Sequence, residues 1–412
     1  MSGTATRYGR AEFLPREQRQ GTALCLSGGG YRAALFHLGA LRRLNELGIL
    51  AQVDTLASVS GGSIFAAQLA THLAREPEAW PAEGGVVAGW EEGVARPMRA
   101  FAATNIRTRP ALHGFHPLRW FDRNAAIEAL AERYAAGPAP GGLDELPPRP
   151  RFVFCATDMR FREQWVFDSR GRIGSRSAGF FPPSPPWTLA RAVAASSCVP
   201  GPFRAMRVRD GVDALREGTY AGGDRDGLVR SIDLADGGVY DNLGIEPVWR
   251  DHAVVLVSDA SPSLSPAPPI RAVWNSLRFA VTLLEQATEV RKRWLLSSFI
   301  RGELDGAYWG VASKPSHYEL EPPPLAYSDD FVERFIAPVR IDLDAFSAGE
   351  IGVLENHGYL IADAAVRRHA AELATAAVPL AVPHPDWLDE ARGARALAES
   401  AKTRFFSRRL RI

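Results

Sequence analysis

Two short apolar runs, each ending in serine and glycine and each followed at once by helical periodicity, mark the amino-terminal part of this chain. The run Thr22–Leu26 ends in Ser27-Gly28-Gly29-Gly30, after which Ala34, Leu38, Leu41, Leu44 and Leu47 recur on one helical face. The run at 55–59 feeds Ser60 and Gly61-Gly62, and an apolar helix is predicted over 64–73. The corners lie about thirty residues apart, the length of one βαβ unit. Further on, apolar runs at 152–155 and 253–258 predict buried strands, and helices are predicted over 91–109, 123–136 and 270–300. In the last of these Val273, Leu277, Val281, Leu284 and Leu295 share a stripe, read as an outer helix packed on the sheet in preference to a membrane-surface or partner helix. Connectors at 75–89 and 137–150 are rich in Pro and Gly and read as loops, the second as an insertion.

Each corner has a chemical use. Glycines at a helix start let the backbone approach a ligand while free N–H groups and the positive helix end face it, so anionic oxygen is favoured there. No Gly-Lys-Ser/Thr follows Gly28-Gly29-Gly30, which sets a P-loop aside, and Tyr31-Arg32-Ala33 stands where a dinucleotide fingerprint needs another glycine. The second corner has the outline of a nucleophile elbow, a tight strand-turn-helix that lifts one serine above a sheet and tolerates only small neighbours, here Ser58 and Gly62. Far downstream, Asp236-Gly237-Gly238 places a carboxylate at the end of a predicted strand.

The glycine loop, the serine elbow and Asp-Gly-Gly, in that order, resemble the patatin-like phospholipase family. Two further blocks are similar to it: the strand around Phe154-Cys155-Ala156-Thr157-Asp158 and the helix-to-proline segment ending Ser196-Ser197-Cys198-Val199-Pro200. One position departs from the family pattern, with Ser58 where glycine is usual two residues before the nucleophile. The resemblance implies an α/β fold, three-layer α/β/α with a mainly parallel central sheet. It also implies a catalytic dyad of Ser60 and Asp236 without histidine, and an oxyanion hole built from the amides of Gly28, Gly29 and Gly30. Arg32 is expected either to hold the loop or to meet a substrate phosphate. His37, about two turns along the first helix, points away from this edge and is read as structural. No metal or other cofactor is expected for the chemistry.

Composition narrows the partners. The chain has 48 Lys and Arg against 47 Asp and Glu in 412 residues, so no overall field favours nucleic acid. Cys25, Cys155 and Cys198 lie in apolar contexts and suit buried thiols of a reducing compartment. No leader or membrane-spanning run is recognised, which leads to an expectation of cytoplasmic residence, with peripheral membrane contact left open. His113 and His116 lack acidic or cysteine partners at ligand spacing and are read as a loop wall beside Trp120. The aromatic and proline-rich loop at 179–187 either packs on the core or lines an entrance for acyl chains.

The expected organisation is a polar segment at 1–20 and one hydrolytic domain at 21–377, its core motifs at 21–259 and closing helices at 270–377. A helical or frayed basic tail follows at 378–412, which mixes cations with apolar side chains. The expected activity is lipid acyl hydrolysis of phospholipase A or lysophospholipase type, on a lipid or membrane-surface substrate. A soluble-ester or thioester hydrolase, an acyltransferase with the same dyad, and a catalytically silent lipid-binding scaffold remain open.

Overall fold

The computed structural model describes residues 18–81, 85–114, 122–182, 187–200, 203–209, 211–262, 275–398 and 400, and the dipeptides 404–405 and 408–409. Most of the 1–20 and 401–412 segments, His116 and Trp120, the centre of the 179–187 loop, and Val273 therefore lie outside the described residues. Strand β1 (Thr22–Leu26) sits mid-sheet, paired in parallel with β2 (Val53–Val59) on one side and β9 (Val254–Asp259) on the other. Beyond β9 lies β10 (Asp305–Gly310), and beyond β2 lies β3 (Arg151–Asp158), both parallel. Antiparallel strands β4 (Glu163–Asp168), β5 (Ile173–Ser175) and β6 (Gly179–Phe180) extend the β3 side. Strand β8 (Asp233–Asp236) joins β3 antiparallel and carries β7 (Met206–Arg207) at its edge. Strand β10 was not among the sequence expectations, which gave only helices after residue 270.

Both faces of the parallel strands are covered, which is why β1 is buried at every residue instead of alternating. Leu24, Leu26, Leu56 and Phe154 face helices α1 (Gly30–Glu46), α2 (Gly61–Arg75), α3 (Ala125–Ala135), α4 (Leu189–Ser196) and α6 (Ala348–His369). The alternate residues Cys25, Ala57, Val153 and Val257 face a thinner layer with Leu243, Ile245, Val248 and Leu295, the last from α5 (Asn275–Ile300). The result is a three-layer α/β/α sandwich. All three cysteines are buried and unpaired.

Helix α6 is buried almost all round, and its polar residues are matched individually. Arg99 donates to both carboxylate oxygens of Glu355 at 2.6 and 2.7 Å, His384 lies 2.8 Å from Glu355 Oε2, and Arg43 Nε donates to Asp363 at 2.9 Å. The helix crosses α1 at a reciprocal glycine contact. A Cβ on Gly39 would lie 1.8 Å from the Glu355 carbonyl, and one on Gly358 would lie 2.0 Å from the Phe36 carbonyl. Because α1 starts at the glycine loop, this crossing fixes the loop's rear support. Gly39→Val should therefore destabilise the fold by about 1–3 kcal/mol or more, the usual cost of overpacking. Urea unfolding of the variant checks this, and an unchanged midpoint would show that the helices separate freely.

Candidate active site

Strand register brings the serine and the aspartate together. Strand β2 pairs with β3 as far as Val59 opposite Cys155, and β4 occupies the other edge of β3 over 153–158. Strand β8 must therefore use the edge that β2 vacates, and it places Asp236 opposite Ala156. The carboxyl ends of two opposed strands thus meet head to head beside adjacent residues of β3. Ser60 follows one end and Asp236 closes the other, and both line one cleft.

The elbow is tight. Ser60 has φ 50° and ψ −115°, a strained conformation for a residue with a Cβ. A Cβ on Gly61 would lie 2.1 Å from the Gly30 carbonyl, and one on Gly62 would lie 2.5 Å from the Leu26 carbonyl, so the two corners are in backbone contact. Beneath the elbow runs a chain of hydroxyls. Ser196 Oγ donates to the Cys155 carbonyl at 2.7 Å and accepts from the Ser60 N–H at 2.9 Å. Its single proton being spent, Ser63 donates to Ser196 at 2.9 Å and Ser58 donates to Ser63 at 3.0 Å. Ser58 and Ser63 are fully buried and committed, which leaves the Ser60 hydroxyl as the elbow's one cleft-lining serine. The hydroxyl at position 58 is accommodated by these partners. Ser196 also accepts the Gly237 N–H on its carbonyl at 3.1 Å, and so braces both halves of the site.

Asp236 is buried, and its Oδ1 accepts the Gly238 N–H at 2.7 Å. Its Oδ2 is buried with no hydrogen-bond partner among the described residues. Burial pushes the carboxyl up to about 6 against the opposing pull of the Gly238 amide and of the Ser60 hydroxyl. That hydroxyl is near enough to favour the carboxylate without reaching ordinary hydrogen-bond geometry. His37 is elsewhere, with Nδ1 2.8 Å from Ser258 Oγ and Nε2 3.0 Å from the Ser27 carbonyl. Burial lowers its pKa to about 4, so the neutral ring donates from Nε2 and accepts at Nδ1.

The glycine loop is less uniform than expected. The Gly28 N–H is already donated to the Asn242 carbonyl at 3.1 Å, whereas the Gly29 and Gly30 amides have no acceptor among the described residues. Gly30, at φ 58°, opens α1. Arg32 is buried and lines the second lobe that Ser60 also borders. It donates to the carbonyls of Ala337, Val339 and Ala260 at 3.3, 2.9 and 2.6 Å. Ser196 and Asn242 were missed individually, although Ser196 lies within the helix-to-proline block.

The cleft measures about 280 Å³, and a second lobe of about 780 Å³ opens from it, sharing Ser60, Val199 and Ile341. One wall is α5, through Val281, Leu284, Glu285, Thr288, Glu289 and Lys292; of the predicted stripe, Leu295 packs in the layer on the sheet while Val281 and Leu284 line the cleft. Among the described residues no helix is long and apolar enough to cross a membrane.

The raised carboxyl has a cost for folding with a definite sign. Asp236 holds its proton more tightly folded than unfolded, so no penalty exists below about pH 4 and the full penalty applies above about pH 6. Asp236→Asn should stabilise the protein by about 2–3 kcal/mol at pH 8 and change little at pH 4. Urea unfolding at both pH values checks this, and an equal gain at both would assign it to something other than the buried charge.

A comparison with curated protein sequences gives no match. Among solved structures the chain is similar to VipD from Legionella pneumophila, at 14% identity over 86% of this chain and 68% of that one, with a TM-score of 0.37. It is also similar to human GIVD cytosolic phospholipase A2, at 12% identity over 93% of this chain and 63% of that one, with a TM-score of 0.42. A structure of that human protein in complex with methyl gamma-linolenyl fluorophosphonate and terbium chloride gives 13% identity over 86% of this chain and 58% of that one, with a TM-score of 0.46. This chain thus spans 58–68% of the length of these three. The sequence model of the patatin-like phospholipases matches residues 24–249, more than half of the chain and all of the elements that carry Ser60, Asp236 and the glycine loop, so this chain belongs to the patatin-like phospholipase family.

Proposed function

We propose that this protein hydrolyses a carboxylic ester of a lipid through Ser60, Asp236 and an acyl-enzyme. The observation that carries the reading is the head-to-head meeting of β2 and β8, which puts a strained serine and a buried carboxylate into one largely apolar cleft. Asp236 takes the Ser60 proton as Oγ attacks the carbonyl carbon, and the Gly29 and Gly30 amides receive the developing oxyanion. The Asp236 proton then passes to the leaving alcohol. Water next attacks the acyl-enzyme, its proton going to Asp236, and collapse of that intermediate returns the proton to Ser60 Oγ and releases the fatty acid. Gly28 contributes by setting the loop's position through Asn242, and Arg32 by tying β9 to the 337–339 segment behind it.

A carboxylate is a poor base in water. Desolvation supplies the missing basicity here by making protonation of Asp236 less unfavourable. Neither His37 nor His357, both buried with carbonyl partners, is available as a third member. In this reading residues 21–377 act as one hydrolytic unit, since β9, β10 and α6 complete the sheet and back the glycine loop.

Fatty-acid release from phospholipid vesicles by the wild type and by Ser60→Ala tests the proposal directly. The expected loss is at least about 10³-fold, together with loss of labelling by a serine-directed fluorophosphonate. Equal release from both proteins would remove Ser60 from the mechanism, and no release from either would favour a soluble acyl substrate or a silent scaffold. The base must be ionised to act, so kcat/KM should rise with pH through about 6 and level off above it. A profile still rising steeply at pH 8 would point to a different base.

A further inference from the structure

Two lobes meet at Ser60, and an ester held there has two arms to place, its acyl chain and its alcohol. Among the described residues, six carboxylates line the two lobes against four cations. Each cation is already committed. Arg107 donates to both carboxylate oxygens of Asp342 at 2.7 Å, Arg340 is paired with Glu350, and Lys292 lies 3.9 Å from Glu289. Arg32 holds the three carbonyls described above. Most of the carboxylates are matched as well. Asp259 accepts from the Tyr308 hydroxyl and from the Ser261 N–H, both at 2.7 Å, Glu289 also meets Arg293 at 3.3 Å, and Glu333 meets Lys314 at 2.5 Å. Apart from Asp236, the exception is Glu285 on α5. Its side chain is half-buried, lines both lobes, and has no hydrogen-bond or ion-pair partner among the described residues. Burial raises its carboxyl above the usual range, with no cation drawing it back.

We infer that Glu285 is a specificity-determining residue, one that turns the site against leaving alcohols bearing a phosphate and toward uncharged ones, an acylglycerol in preference to a glycerophospholipid. The argument does not depend on which way the substrate lies. Whichever lobe takes the alcohol, Glu285 borders it, and a phosphate on glycerol stands only a few bonds from the ester at Ser60. Such a phosphate meets a like charge in a partly dehydrated space, and every lining cation among the described residues already has a carboxylate or carbonyl partner. An uncharged glycerol escapes that repulsion. It also finds a donor, because Ser261 Oγ accepts from Asn242 Nδ2 at 2.7 Å and its own proton has no acceptor among the described residues. The inference rests on the lipid-hydrolase reading and narrows its substrate.

Monooctanoylglycerol and its phosphate monoester, octanoyl lysophosphatidic acid, differ in the phosphate alone and are used as monomers with the full chain at pH 8. Fatty-acid release by the wild type should show a kcat/KM at least about tenfold higher for the uncharged lipid. Glu285→Gln should cut that ratio at least about fivefold, and Glu285→Lys further still, with thermal unfolding unchanged in both. A ratio that neither variant moves, or a wild type that favours the phosphate ester, overturns the inference. Binding is read separately from catalysis, by calorimetry of the same two lipids with Ser60→Ala and with Ser60→Ala carrying Glu285→Gln. The uncharged lipid should bind more tightly to the first protein, and the second should lose most of that preference. Equal binding of the two lipids to the first protein, a preference that survives Glu285→Gln, or binding of neither lipid overturns the inference. Failure of the hydrolase reading would appear instead as no turnover of either lipid, or as turnover insensitive to Ser60→Ala, and the binding order then decides the inference by itself.

Discussion

The backbone contact between the two strand-to-helix corners is the constraint on which the rest of the structure depends. Gly61 lies on Gly30 and Gly62 lies on Leu26 and Ser27, at separations that no side chain could enter. Only with the corners this close do the amides that start α1 face the same space as the serine that starts α2. The contact must be held from behind, because four main-chain segments converge there with few side chains between them. Three supports do so: the Gly39–Gly358 crossing behind α1, the Arg32 clamp on three carbonyls, and His37 on the Ser27 carbonyl. Each is deeply buried; the crossing is fixed by close backbone contact, and Arg32 and His37 cannot shift without giving up bonds to buried carbonyls.

Electrostatics then divide the buried carboxylates into two kinds. Glu355, held by Arg99 and His384, is matched by cations and lies below its ordinary range. Asp236 has only an amide and a nearby hydroxyl, and lies above it. The first arrangement stabilises the fold around α6; the second costs stability and leaves one oxygen without a partner. Asn356, Glu355 and Asp363 each have hydrogen-bond partners, whereas Asp236 Oδ2 is one of the buried polar atoms that have none among the described residues, and on the reading proposed above it is the oxygen free to take the Ser60 proton.

The corners were legible in the sequence because their determinants are local: an apolar run, a glycine cluster and helical periodicity within a few residues. Asp236 was legible for the same reason, as the end of a short strand before two glycines. What could not be read was anything decided by a distant partner. Ser196 matters through Ser60, Ser63 and Gly237, none of them near it in sequence, and the Gly28 amide is spent on Asn242 across more than two hundred residues. Strand β10 escaped because Asp305-Gly306-Ala307-Tyr308-Trp309-Gly310 is short and opens with an exposed aspartate and a glycine, lacking the apolar run that marked β1 and β9. Helix α5 was correctly placed, and Leu295 packs in the layer on the sheet as expected, whereas Val281 and Leu284 of the same stripe line the cleft. Its periodicity defines stripes, and periodicity alone does not say which stripe meets protein.

That ambiguity bears on how the base works. On the reading proposed above, Asp236 owes its basicity to dehydration, and the cleft that dehydrates it is walled by α5, which presents Val281 and Leu284 to it beside polar side chains. An acyl chain lying along Val281 and Leu284 would displace water from the Asp236 side of the cleft and raise the carboxyl further toward neutrality. A short soluble ester fills less of that volume and displaces less water. The same hydrophobic contact that binds a long chain would then strengthen the proton acceptor, so part of any preference for lipid would appear in kcat as well as in KM.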